Sequence, residues 1–274
     1  MTSPAPHAAA ASRASWVRLA LIGAAGGLLS GAFGVGGGIL MVPLLITFAH
    51  MDQRRASATS LAAIVPTAVV GAITYFASGE VDVIAALFVA AGGIAGGWLG
   101  ARLLKRLPLV WLRWMFIALL AVVAVRMLFF VPPRGDGLVE LDAFTIVIMV
   151  ALGFVIGVAA GLFGIGGGIV MVPAFIMLLG MSDLVAKGTS LAVMIPTAIS
   201  GTITNARGGV VDLRAGLIAG AAATLASFGG VAIAHLLSPE WSTWLFSVLI
   251  VIATVQLAVR AVRAQRRERN ERGR

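Results

Sequence analysis

The stretch Gly31-Ala32-Phe33-Gly34-Val35-Gly36-Gly37-Gly38-Ile39-Leu40-Met41-Val42-Pro43 returns 130 residues later as Gly161-Leu162-Phe163-Gly164-Ile165-Gly166-Gly167-Gly168-Ile169-Val170-Met171-Val172-Pro173. Glycine is disfavoured inside a helix by about 1 kcal/mol relative to alanine, so a glycine run within apolar flanks interrupts a helix, here twice. Other matches fall at the same spacing. Thr59-Ser60-Leu61-Ala62 pairs with Thr189-Ser190-Leu191-Ala192, Pro66-Thr67-Ala68 with Pro196-Thr197-Ala198, and Thr74 with Thr204. Val81-Asp82 pairs with Val211-Asp212, and Trp111 and Trp114 pair with Trp241 and Trp244. The chain is a duplication, and any fold proposed for one half must serve the other.

The halves are too apolar for a soluble fold. Charged residues make up 11% of the 274 and hydrophobic ones 60%, with a mean hydropathy of +1.04, whereas a soluble domain carries roughly 25% charged residues. Apolar runs near the ~20 residues that cross a bilayer recur throughout, which predicts an all-α polytopic membrane protein. The short alternating strands of a membrane barrel are absent.

Each half divides into five apolar segments. They are expected over 16–33, 38–49, 56–77, 83–104 and 109–131, then over 141–163, 168–180, 184–206, 213–237 and 241–263. The domain plan is a disordered tail over 1–15, a first membrane repeat over 16–131, a linker over 132–140, a second repeat over 141–263 and a basic tail over 264–274. Pro132-Pro133-Arg134-Gly135 marks the linker. Arg13 and Arg18 before an apolar run imitate a secretory signal, but the matching segment lies mid-chain and must be a retained helix.

The net charge of +9 is concentrated in the C-terminal tail, as at the cytoplasmic end of a membrane helix, and does not call for nucleic acid. Loop charge also decides how the halves are related. If each half crosses an odd number of times, Arg13, Arg18, Arg54, Arg55, the 102–113 loop, Arg207, Arg214 and the tail share one side. Glu80, Asp82, Asp183 and Glu240 then fall on the other. This positive-inside pattern predicts two inverted repeats with both termini cytoplasmic. The segment from Gly38 is too short to cross fully, which places the glycine turns within the membrane thickness, where irregular backbone must line protein or water.

Gly34, Gly36, Gly37 and Gly38, with Gly164, Gly166, Gly167 and Gly168, each lead into a short helix whose N-terminal amides can receive an anion without any lysine or arginine. Close helix packing is the competing reading for such glycines, and it is preferred for Gly92, Gly93, Gly96, Gly97 and Gly100. Thr59, Ser60 and Thr67, with Thr189, Ser190, Thr197 and Asn205, are uncharged groups able to complete an oxyanion's shell. Pro66 and Pro196 free backbone carbonyls beside them. Back-bonding of the hydroxyls to the preceding turn is the ordinary alternative. Asp82 and Asp212 read as N-caps. Lys187 and Arg207 flank their segment and could draw anions toward a vestibule, with solvation at the surface the preferred reading. No mid-membrane carboxylate, metal cluster, catalytic triad or nucleotide loop is evident, so neither enzyme chemistry nor a cofactor is expected. With no cysteine, disulfides are excluded.

The doubled Gly-x-Gly-Gly-Gly-Ile-x-Met-Val-Pro, Thr-Ser-Leu-Ala and Pro-Thr-Ala stretches resemble the TauE/SafE family of sulfite exporters, also described as the 4-toluene sulfonate uptake permease family. The resemblance covers Arg18 to Arg263. It implies a bacterial inner-membrane transporter of a small sulfur-containing anion such as sulfite, a sulfonate or sulfoacetate, and a secondary transporter binding it between the two halves is the leading reading. A coupling proton or ion and a homo-oligomer are compatible with it. An anion channel of the same architecture is the alternative, and a non-transporting membrane scaffold the next.

Overall fold

A computed structural model describes residues 6–108 and 142–272, with isolated positions between 110 and 125. The helices within the two continuous stretches are α1 (Pro6–Phe33), α2 (Gly38–Phe48), α3 (Gln53–Ala77), α4 (Val83–Arg106), α5 (Ala143–Phe163), α6 (Gly168–Leu179), α7 (Asp183–Arg207), α8 (Leu213–Leu236) and α9 (Pro239–Arg272). Seven are long and apolar enough to cross a membrane, while α2 and α6 are short. The segment expected over 109–131 and the linker over 132–140 lie outside the continuously described residues.

Helix starts follow local chemistry. Asp82 Oδ1 accepts from the Ala85 amide at 2.9 Å and Asp212 Oδ1 from the Ala215 amide at 3.0 Å, capping α4 and α8 as expected. Asp142 caps α5 in the same way through the Thr145 amide at 2.7 Å. Both α3 and α7 continue through their prolines, Pro66 and Pro196.

Glycine stripes set the packing. A Cβ built on Gly92, Gly96 or Gly100 of α4 would lie 1.9, 2.2 or 2.2 Å from the carbonyl oxygens of Val150, Phe154 and Val158 in α5. On α1, a Cβ at Gly23, Gly27 or Gly31 would lie 2.1, 2.0 or 2.3 Å from those of Ala219, Ala223 and Ser227 in α8. Backbones therefore touch, as small residues permit in membranes, and residue numbers rise together along both pairs. Each pair is parallel, and each joins one repeat to the other.

The same test orients the remaining long helices. Gly216 and Gly220 of α8 face Thr59 and Ala63 of α3, and Gly93 and Gly97 of α4 face Thr197 of α7. Between α3 and α7 the order reverses: Gly71 meets Leu191, Tyr75 meets Gly188, and Leu61 meets Gly201. One bundle thus contains α1, α3 and α8 running one way, and the other contains α4, α5 and α7 running the opposite way. The equivalent helices α3 and α7 form the antiparallel seam between them. Outward faces carry Leu21, Ile73, Phe76, Leu87, Phe144, Leu217, Leu225 and Leu236, all exposed, which is the surface that a hydrocarbon solvent accommodates.

Candidate functional site

The glycine turns are the least regular backbone in the interior. Gly36 and Gly37 have φ of 78° and 69°, and Gly166 and Gly167 of 75° and 89°, a left-handed region that side chains with a Cβ rarely enter. The first bonds of α2 run from the Leu40 and Met41 amides to Gly37 O at 3.1 and 3.0 Å, and those of α6 from Val170 and Met171 to Gly167 O at 3.0 Å. Amides just before these points precede the intrahelical ladder. They form the positive end of each short helix. Pro43 and Pro173 lie within those helices and lack the amide that would bond the carbonyl of Ile39 or Ile169.

The two turns meet. A Cβ on Gly38 would lie 2.4 Å from Gly164 O, and one on Gly168 would lie 2.4 Å from Gly34 O. Gly36 and Gly166 both rest on Met194 and Ile64, with a built Cβ 2.6 and 2.7 Å from the methionine sulfur. Those two residues lie near the middle of α7 and α3, so the turns sit at mid-height of the long helices. Residues 30–39 and 160–169 are buried throughout.

The hydroxyls brace this centre from both sides. Ser60 Oγ donates to Gly164 O at 2.6 Å, and Ser190 Oγ donates to Gly34 O at 2.6 Å. Each bond ties one half's long helix to the other half's turn. Thr59 Oγ1 accepts from the Asp212 amide at 3.0 Å, and Thr189 Oγ1 accepts from the Asp82 amide at 2.9 Å. Thr67 and Thr197 back-bond to Ala63 O and Val193 O at 3.0 and 2.9 Å. The glycines and serines are thus brought to one place. Thr59, Thr189 and Asn205 stand elsewhere along α3 and α7.

Several polar residues were not singled out by motif reading. Lys187 was expected at a solvated end, yet it is 1% exposed. Its Nζ donates to Asp183 Oδ2 at 2.6 Å and to Ser242 Oγ at 2.9 Å. A Cβ on Gly34 would touch the Lys187 backbone, while the part-buried ion pair itself lies toward the start of α7. The equivalent positions in the first half hold Ser57 and Gln53. Glu80 Oε2 lies 2.9 Å from His235 Nε2, and the buried Tyr75 stacks on His235 and donates to Gly31 O at 2.8 Å. Positions where the repeats differ were the available signal, because a polar group that one half can omit is not required by the shared fold.

Half-helices whose N-termini meet inside a bundle of long apolar helices define a polytopic membrane protein with two broken-helix turns at its centre. The particular family is also shown: the model described as sulfite exporter TauE/SafE matches residues 2–127 and 149–274, and the chain belongs to that family. It is similar to the probable membrane transporter protein YdhB of Bacillus subtilis, with 28% identity over 68% of this chain and 77% of that protein. YunE of the same organism, likewise named a probable membrane transporter protein, is 26% identical over 72% of this chain and 81% of its own length. A probable membrane transporter protein of Xylella fastidiosa is 31% identical over 70% of this chain and 73% of its own. No solved structure matches the chain.

Proposed function

We propose that the protein is a secondary transporter moving a small sulfur-containing anion, of the sulfite, sulfonate or sulfoacetate kind, across the bacterial inner membrane. The carrying observation is the meeting of two glycine turns, each opening a half-helix, at mid-height of α3 and α7. Amides at Gly36 to Gly38 and Gly166 to Gly168 would receive the oxyanion once the turns separate, with Ser60 and Ser190 exchanging their carbonyl partners for it. The spans themselves supply almost no fixed charge, so the helix ends are the natural electrostatic source.

Inverted membrane topology fits the antiparallel seam. The charge distribution supports cytoplasmic termini: Arg54 donates to Leu104 O and Leu107 O, Arg55 pairs with Asp212, and Lys105 donates to Thr204 O, all gathered at one end. Glu80, Asp183 and His235 lie at the other. Alternating access would follow from rocking of the two mixed bundles across the seam. An inside-negative potential favours anion exit by about 2.3 kcal/mol per charge per 100 mV.

Purified protein in liposomes should show saturable flux and counterflow of sulfite or a simple alkyl sulfonate. Absence of saturable flux for all of them refutes the reading, and non-saturating flux with single-channel currents would replace it with an anion channel.

A further inference from the structure

Polar groups shared by the two repeats are bonded within the protein, whereas those lacking a partner fall where the repeats differ. Thr59, Ser60, Thr67 and Thr74 and their equivalents Thr189, Ser190, Thr197 and Thr204 all make hydrogen bonds. Apart from Glu80 Oε2, which stands 2.9 Å from His235 Nε2, the described residues with buried side-chain atoms that lack a hydrogen-bond partner are Ser30, Thr202, Asn205 and Ser227. Their equivalents are Ala160, Ala72, Tyr75 and Gly97.

Asn205 is the extreme case. It is 0% exposed, and neither its Nδ2 nor its Oδ1 has a partner. A buried amide left so is costly, and proteins retain one where a molecule outside the fold completes it. Tyr75 shows what the same place looks like when filled. Its ring stacks on His235, packs against Gly188 and reaches Gly31 O. The repeat relation puts Lys105, Ala58 and Gly161 around Asn205. Direct contacts agree: Gly201, one turn earlier, lies against Leu61 and near Gly161, and Lys105 Nζ bonds the carbonyl of the neighbouring Thr204 at 2.7 Å. The shorter carboxamide replaces a phenol, and the site stands roughly 16 Å from the height of Met194, at 1.5 Å per residue along α7. It lies at the basic end, with Lys105, Arg54 and Arg207.

We propose that Asn205 lines an inner anion vestibule. There its Nδ2 donates to an oxyanion oxygen in the field of Lys105 before the anion reaches the glycine turns. The equivalent pocket at the opposite end is closed by Tyr75. The pocket stands on the unpartnered amide, while the class of ligand and the inner side rest on the transport reading above.

The chain has no cysteine, so one introduced thiol reports alone. In vesicles of both orientations, N205C should react with 2-sulfonatoethyl methanethiosulfonate, read as a mass shift, roughly tenfold faster than A68C in the core. Ethanesulfonate should slow that reaction. A58C, which the repeat places beside Asn205 as Gly188 stands beside Tyr75, should react likewise, and adding N205Y should suppress it by restoring the aromatic plug. N205C as inert as A68C overturns the vestibule, and labelling that ethanesulfonate leaves unchanged overturns its anion specificity. Wild-type protein without saturable flux, alongside a reactive and protected N205C, sinks the transport reading and sustains the pocket. Flux with an inert N205C does the reverse.

Discussion

Replacing Gly37 by alanine should destabilise the protein more than the same change at its repeat mate, Gly167. Both residues have positive φ, 69° and 89°, so alanine meets left-handed strain of about 1–3 kcal/mol at either site. The surroundings then separate them. At Gly37 the new Cβ would lie 2.2 Å from the carbonyl oxygen of Gly26 and 2.6 Å from its carbonyl carbon, and α1 backbone can yield only by moving away from α2. At Gly167 the nearest atoms are the Ile156 Cγ2 methyl at 2.7 Å and the Met171 Cε methyl at 3.0 Å, side-chain atoms rather than backbone, of which the flexible methionine end can change rotamer and the stiffer isoleucine need move only a few tenths of an ångström. Overpacking against rigid neighbours costs a further ~1–3 kcal/mol, so Gly37→Ala should cost roughly 2–6 kcal/mol in all. Gly167→Ala should stay near the strain value. At about 2–4 °C per kcal/mol for a chain of this size class, Gly37→Ala should melt several degrees below Gly167→Ala in one detergent, followed by fluorescence-detected size exclusion. Equal melting temperatures, or the reverse order, would refute the claim that the first turn is held against backbone.

Ser60→Ala and Ser190→Ala each remove the donor to a buried carbonyl of the opposite turn, and each should cost ~1–3 kcal/mol, measured as a fall in melting temperature. Gly157→Ala, whose Cβ would meet Gly93 O at 2.5 Å, should destabilise, whereas Gly229→Ala, with nothing within 4 Å, should be neutral or stabilising by helix propensity. The hydrogen bonds from Thr145 hold the Asp142 carboxyl below its ordinary 3.8. Its cap therefore stabilises above the unfolded pKa and is lost as pH falls through the lower folded one, so the melting difference between Asp142→Ala and wild type should vanish in acid. A disulfide from Gly71→Cys and Leu191→Cys across the α3–α7 seam should block flux. One from Ala63→Cys and Gly220→Cys within a bundle should leave flux intact, both being read in liposomes before and after reduction.

The helices and their breaks were legible because each rests on local rules. Asp82 and Asp212 announce caps, the glycine runs announce interruptions, and hydropathy marks spans of membrane length. Loop charge likewise anticipated which ends gather, since Arg54, Arg55, Lys105 and Asp212 do share one end. Partners of the hydroxyls were not legible. Ser60 reaches Gly164 across 104 residues, and no local pattern distinguishes that bond from the back-bond that Thr67 makes to Ala63. Lys187 was misjudged as solvated because its i−4 partner Asp183 is equally compatible with an exposed helix face, whereas the partner that buries it, Ser242, arrives only when α9 packs beside α7.

The sequence halves are not the mechanical halves. Duplication suggests two bodies divided at the linker, yet the closest backbone approaches join α1 to α8 and α4 to α5, each across the repeat boundary. Glycine is what permits them: a Cβ at Gly92 or Gly27 would stand 1.9 or 2.0 Å from a facing carbonyl oxygen and force the helices apart, and dispersion between backbones would be lost. In lipid there is no hydrophobic force between helices to replace it. A lone first repeat would therefore leave the glycine faces of α1 and α4 without their partners α8 and α5. The stripes at 23–31, 92–100 and 153–161 consequently specify which helices pack as one body, while the glycines at 36–38 and 166–168 specify where the two bodies touch.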